Sequence, residues 1–235
     1  MTGVIDLYGI SLFIGSRFAA LFSDPKGFLL GVLYCLPAVL IALSFHEWAH
    51  AYAAYRLGDP TARNLGRMTV NPMAHLDPIG ILMLTFIGFG WARPVPINPR
   101  NFSNPRRDEL IVSCAGVAAN LALAFIFTGI YLLVTLIIGF ANEIFMTIVS
   151  YIITLNISLC IFNLIPIPPL DGFHVLTCIF PRSGGRFFVF LERYGFLILI
   201  ALLFTGVVTD VLTVGVTGIS RGMTWLWLKF FSLFS

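Results

Sequence analysis

FLLGVLYCLPAVLIALSFHEWAHAYAAYRLG, residues 28–58, is apolar along almost its whole length and yet carries His46, Glu47 and His50. A helix of this length reaches about 45 Å at the standard rise, more than a hydrocarbon core of about 30 Å. Ionisable side chains at membrane depth are costly and mark function. His46 and His50 stand four apart, so they share one helical face, one turn above the other. Glu47 lies about 100° round from His46, within reach of a water held between the histidines. This is the HExxH pattern, with two imidazole ligands for zinc and a carboxylate general base. In a soluble protein such a short match can arise by chance, its histidines satisfied by core hydrogen bonds. Here a glutamate in an apolar helix needs a compensating partner, and a metal supplies one.

The rest of the composition agrees with a membrane setting. Of 235 residues 58% are hydrophobic and 11% charged, and the mean hydropathy is +0.94. Ordinary soluble domains carry about 25% charged residues, so the chain reads as an all-α polytopic membrane protein. No polar region is long enough for a soluble domain, and residues 1–235 read as a single membrane-embedded unit. The net charge of +3 comes from loop arginines near a membrane surface and gives no case for nucleic-acid binding. Cys35, Cys114, Cys160 and Cys178 lie far apart, mostly in apolar runs, and read as small packing residues rather than a disulfide framework. No basic region precedes the first apolar stretch, so a cleaved signal peptide is not expected.

Along the chain the pattern predicts about five to six transmembrane helices, short strand-like cytoplasmic loops and a re-entrant segment. Ile5 to Phe22, interrupted by Arg17, reads as a marginal first span or a helix lying in the interface, with the span preferred. After the HExxH helix, Met68 to Val70 has strand character. Ile79 to Trp91 is too short to span and reads as re-entrant. A second strand-like piece at Val95 to Ile97 sits in a proline-rich loop. Leu110 to Phe140 is the next span, and its small residues Ser113, Ala115, Gly116, Ala118 and Ala119 allow close helix approach. Glu143 to Leu164 returns across the membrane, and Tyr194 to Val214 makes a further span. Ile219 to Ser235, with Arg221, Trp225, Trp227 and Lys229, fits an interfacial helix or a poor final span.

Arginines set the orientation. Arg56, Arg63, Arg67, Arg93, Arg100, Arg106 and Arg107 fall between the HExxH helix and the Leu110 span. Arg182, Arg186 and Arg193 follow IPIPPLDG, residues 165–172, whereas the hairpin near Asn142 offers only Glu143. By the positive-inside rule both basic regions are cytoplasmic. The histidines then lie about 12–18 Å inside the cytoplasmic end of their helix.

Catalytic zinc normally takes three protein ligands plus water, so a third ligand is missing. Asp171, His75, His174 and the cysteines are the candidates. Asp171 follows a proline-forced irregular segment, which at such depth must line a cavity or be buried in protein. With a divalent cation, ionised Glu47 and ionised Asp171 leave the site formally neutral. His174, one turn beyond Asp171, is the serious competitor, because on a helix the two lie on the same side. His75, in the polar run NPMAHLDP, reads as solvated or turn-bonding.

FHEWAHAYAAYRLGDPTA at 45–62, GRMTVNPMAHLDPIG at 66–80, RPVPINPRNF at 93–102, SCAGVAAN at 113–120 and FNLIPIPPLDG at 162–172 together resemble the site-2 protease family of intramembrane zinc metalloproteases, in its short bacterial type without a PDZ domain. The resemblance implies one zinc per chain held by His46, His50 and Asp171, with Glu47 as base. It also implies that Asn120 and Asn163 hold the substrate backbone or the oxyanion, although helix–helix hydrogen bonding is the plainer role for both. His174 is outside the family's usual ligand set and is left a supporting, oxyanion or helix-capping role. Val117 stands where the family often has proline. The implied activity is hydrolysis of a transmembrane protein or peptide within the cell membrane, with the site towards the cytoplasm. A metal-ion transporter, which would usually need no glutamate beside the metal, and a non-catalytic membrane scaffold are the rival readings.

Overall fold

The computed structural model describes residues 21–87, 90–139, 142–180 and 185–233. Helix α1, Pro25–Arg56, begins where the Asp24 side chain accepts from Gly27 N–H at 3.0 Å and Pro25 occupies the first turn. It ends at Leu57, just before Gly58 turns the chain with φ 106°. A short helix α2, Thr61–Asn64, and a 3₁₀ turn at Pro72–Ala74 lead to α3, Pro78–Ile87. At ten residues α3 is about 15 Å long, half a hydrocarbon core. A second 3₁₀ turn, Pro99–Asn101, precedes α4, Pro105–Leu132, which continues as a π-turn over Leu133–Ile137. The start of α4 is a reciprocal cap. Asn104 accepts from Arg107 N–H through its side chain, and its own N–H donates to Asp108 at 2.9 Å. Helix α5, Glu143–Asn163, α6, Asp171–Ile179, α7, Arg186–Thr205, and α8, Val207–Phe231, complete the described chain.

Four of these helices are long and apolar enough to cross a membrane: α1, α4 with its π-turn, α5 and α7. Leu29, Leu33, Phe125, Ile126, Phe196, Leu197 and Phe204 are exposed along them, as lipid-facing side chains would be. Helices α1, α4 and α5 pack on one another, and α8 lies against α4 and α5. Ala124 of α4, Val149, Ile153 and Ile157 of α5, and Val216 and Met223 of α8 make the largest buried cluster. In lipid such packing is held by close van der Waals contact rather than by escape from water, which favours small residues and tight fit.

Three expectations meet the structure differently. The first span, residues 5–22, lies almost entirely outside the described residues. The expected Tyr194–Val214 span is divided at Gly206, whose φ of 81° ends α7 and starts α8. The last stretch therefore belongs to a helix packed into the bundle. Trp227 stacks on Phe125 at 5.0 Å and donates its indole N–H to Phe125 O at 2.9 Å. The strand-like pieces make no ladder among the described residues. Their region holds a single antiparallel bridge, Leu76 with Ala92, because the prolines at 94, 96 and 99 lack the N–H groups a ladder needs.

The loops between α1 and α4 fold back over the end of α1. Ala51, Ala62 and Val95 form one buried cluster, and Ala54, Phe102 and Val112 form another. This cap brings residues far apart in sequence over the HExxH turn.

Candidate metal centre

His46 and His50 are buried in the last three turns of α1, and Asp171 is the first residue of α6. His46 Nδ1 stands 2.9 Å from Asn120 Oδ1, and His50 Nδ1 stands 2.8 Å from Val112 O. Both acceptors are carbonyl oxygens, so each ring uses Nδ1 as its donor and has Nε2 left as a ligand atom. The two Nε2 atoms are 3.0 Å apart. Asp171 Oδ2 lies 3.3 Å from one and 3.2 Å from the other, with no other donor to it among the described residues. Three lone-pair atoms thus meet within 4.8 Å of one another. A cation in their midst would satisfy all three at once. The donor set, two imidazole nitrogens and one carboxylate oxygen, fits zinc with a fourth position open.

Two glycines make this geometry possible. A Cβ on Gly116 of α4 would fall 2.4 Å from His50 Nε2 and 2.6 Å from His46 Cε1. A Cβ on Gly172 would fall 2.4 Å from Leu164 O. The first lets α4 press against the imidazoles. The second lets the start of α6 seat on the end of α5, so that Asp171 faces α1. The intervening IPIPPL segment is held by its own tight turns, with Ile167 N–H on Ile165 O at 2.8 Å and Leu170 N–H on Ile167 O at 3.0 Å.

Glu47 is buried beside the histidines, and its Oε2 accepts from Val95 N–H at 2.8 Å. His174 turns away from this group. Its Nδ1 is 3.1 Å from Glu109 Oε1 on α4 and its side chain is half exposed. Arg106, one turn earlier on α4, donates to Cys178 O and to Ile179 O, the latter at 2.7 Å. The first turn of α4 thus holds α6 at its middle and its end. His75 is buried rather than solvated, with Nε2 2.7 Å from Thr69 O, and is outside the metal group. Cys35, Cys160 and Cys178 are buried thiols, and none joins a disulfide.

Asn120 is fully buried with its oxygen on His46, and its Nδ2 has no hydrogen-bond partner among the described residues. Asn163 donates to Leu159 O at 3.0 Å, one turn back in its own helix. Sequence reasoning did not assign Asn120 the orienting of His46. It also missed the Val112 carbonyl, the Val95 N–H and the steric role of Gly116. Backbone groups leave no side-chain signature, and only the small-residue run at 113–119 hinted at the last of these.

The family model "Peptidase family M50" matches residues 133–206, which include α5, the IPIPPLDG segment and α6. Two relatives named "Putative zinc metalloprotease" align across more of the chain. YwhC of Bacillus subtilis is 41% identical over 179 residues, covering 73% of this chain and 80% of its own. Rip2 of Mycolicibacterium smegmatis is 30% identical over 171 residues, covering 71% of this chain and 64% of its own. No solved structure matches the chain.

Proposed function

Because this chain belongs to peptidase family M50, the site-2 proteases, and is a metalloprotease by that membership, we propose that it hydrolyses transmembrane substrates within the membrane, near the cytoplasmic face. The observation that carries the reading is the convergence of His46 Nε2, His50 Nε2 and Asp171 Oδ2 beside the buried Glu47 carboxylate. His46, His50 and Asp171 would hold one zinc ion. When bound, zinc supplies Lewis acidity that polarises a peptide carbonyl and lowers the pKa of water.

The chain's own groups do the rest. Glu47 takes a proton from the attacking water and returns it to the leaving amine. Val95 N–H fixes one oxygen of that carboxylate and leaves the other for proton transfer. Asn120 and Val112 O hold the two imidazoles in the tautomer that presents Nε2. The unpartnered Asn120 Nδ2 is a donor for the oxyanion or the substrate backbone. Asn163, at the end of α5, is a second candidate for substrate backbone, through its oxygen. His174 serves the contact between α4 and α6.

A substrate helix must unwind before cleavage, since its carbonyls are hydrogen-bonded. The extended stretch over Glu47 supports strand-like pairing with an unwound substrate. The arginine distribution supports a cytoplasmic entrance for water and substrate. A glutamate fixed next to the histidines favours hydrolysis over metal transport. The test is cleavage of a model transmembrane substrate by purified protein. Activity should vanish with a chelator, return with zinc, and fall by roughly 10²–10⁴-fold in Glu47→Gln with metal retained. Normal turnover by Glu47→Gln refutes the reading.

A further inference from the structure

Beyond α1 the chain turns back on its own last turn, with Asp59 N–H donating to Ala54 O at 2.9 Å. The Asp59 side chain is fully buried and accepts four hydrogen bonds. They come from Thr61 N–H at 3.1 Å, the Thr61 hydroxyl, Asn98 N–H at 2.7 Å and the Asn101 amide at 2.7 Å. Burial pushes its pKa up, and these donors reverse that and hold it below the ordinary carboxylate value.

What this carboxylate grips is the segment that touches Glu47. Val95, three residues before Asn98, donates to Glu47 Oε2 at 2.8 Å. On the other side of Val95 the Arg67 guanidinium donates to Arg93 O at 2.7 Å and to Pro94 O at 3.2 Å. Pro94 and Pro96 have no N–H, so Val95 is the one backbone donor of 94–96. Its side chain is buried against Ala51 and Ala62. A single donor, pinned on both flanks, is therefore aimed at the carboxylate of the HExxH motif.

We infer that Asp59 is a positioning residue for the general base, acting through the 95–98 backbone to keep Val95 N–H on Glu47; this rests on the reading of Glu47 as the base. The Asp59 carboxylate takes Asn98 N–H through Oδ2, while Oδ1 gathers Thr61 and Asn101. An asparagine at 59 has one acceptor oxygen and can serve only one of the two sets.

The experiment compares full-length, zinc-loaded wild type with Asp59→Asn, Val95→Pro, their double variant and Glu47→Gln in detergent, on a model transmembrane substrate. Amide exchange over 93–101 is read by mass spectrometry in parallel. Asp59→Asn should lower kcat about 10-fold or more at near-constant KM, keep its zinc, and speed exchange over 93–101 while α1 stays protected. Val95→Pro deletes the donor and leaves Asp59 in place, so it should lose kcat by a comparable factor. The double variant should be no slower than Val95→Pro alone. Multiplicative losses in the double variant overturn the inference, as does wild-type kcat in Asp59→Asn. If Asp59→Asn does not fold, Asn101→Ala, which removes one arm of the same carboxylate, should give a smaller loss of the same kind, and unchanged kcat and exchange there overturn the inference. Turnover retained by Glu47→Gln refutes the base reading and the role of Asp59 with it. Turnover lost there but unchanged in Asp59→Asn refutes the role of Asp59 alone.

Discussion

Replacing Gly116 with alanine should weaken metal binding without unfolding the protein. The added Cβ would lie 2.4 Å from His50 Nε2, 2.6 Å from His46 Cε1 and 2.7 Å from His50 Cε1. Comfortable contact begins near 3.5 Å, so the rings or the α4 backbone must give way by about 1 Å. The rings cannot swing freely, since His46 is tethered to Asn120 at 2.9 Å and His50 to Val112 O at 2.8 Å. Metal–ligand distances tolerate only about 0.2 Å. Overpacking of this kind costs about 1–3 kcal/mol, and if the strain falls on the ligands, zinc affinity drops roughly 5- to 150-fold. Competition with a chromogenic chelator on the detergent-solubilised protein measures this directly. Gly218→Ala, on α8 with nothing within 4 Å of the added carbon, is the matched control. A zinc Kd for Gly116→Ala within twofold of wild type would show that α4 does not press on the ligands and would refute the geometry.

Asp171→Ala should strip zinc from the purified protein, whereas His174→Ala should keep near-stoichiometric metal, because His174 faces Glu109 and not the imidazoles. Metal analysis with the reverse pattern would hand the third ligand to His174. The Asp59 carboxylate is held below the ordinary carboxylate range, so its stabilising effect is present above that range and is lost as pH falls through the lower folded value. The thermal stability gap between wild type and Asp59→Asn in detergent should therefore be constant from neutral pH to about pH 5 and close on further acidification. A gap that widened with acid would contradict the sign. For topology, Arg100→Cys and Asn142→Cys on a cysteine-free background should label from opposite sides, position 142 from the outside. Labelling of position 100 from outside would invert the orientation.

How much of this was legible in the sequence follows from which interactions are local. The HExxH pair needs only helical periodicity, and periodicity within an apolar run put His46, Glu47 and His50 on one helix at membrane depth. The caps at Asp24, Asn104 and Asn142 are equally local, each a side chain meeting a backbone N–H three residues on. Spacing could not choose between Asp171 and His174, because one turn separates them and either could face the metal. Only the seating of α6, set by Gly172 against Leu164 and by Arg106 and Glu109 on α4, turned Asp171 towards the histidines and His174 away. The division at Gly206 was also hidden, since a glycine in an apolar run carries no sign of its φ until its neighbours pack.

The sequence by itself determined the solvent, the helix that carries the chemistry and the residue types that could bind a metal, because hydropathy and helical spacing act over one or two turns. Tertiary structure alone decided which carbonyl each histidine faces, which of Asp171 and His174 meets the histidines, and the N–H aimed at Glu47. Each of those depends on a backbone carbonyl, a backbone amide or the absence of a Cβ, brought from a distant part of the chain to within about 3 Å by packing that no local pattern encodes.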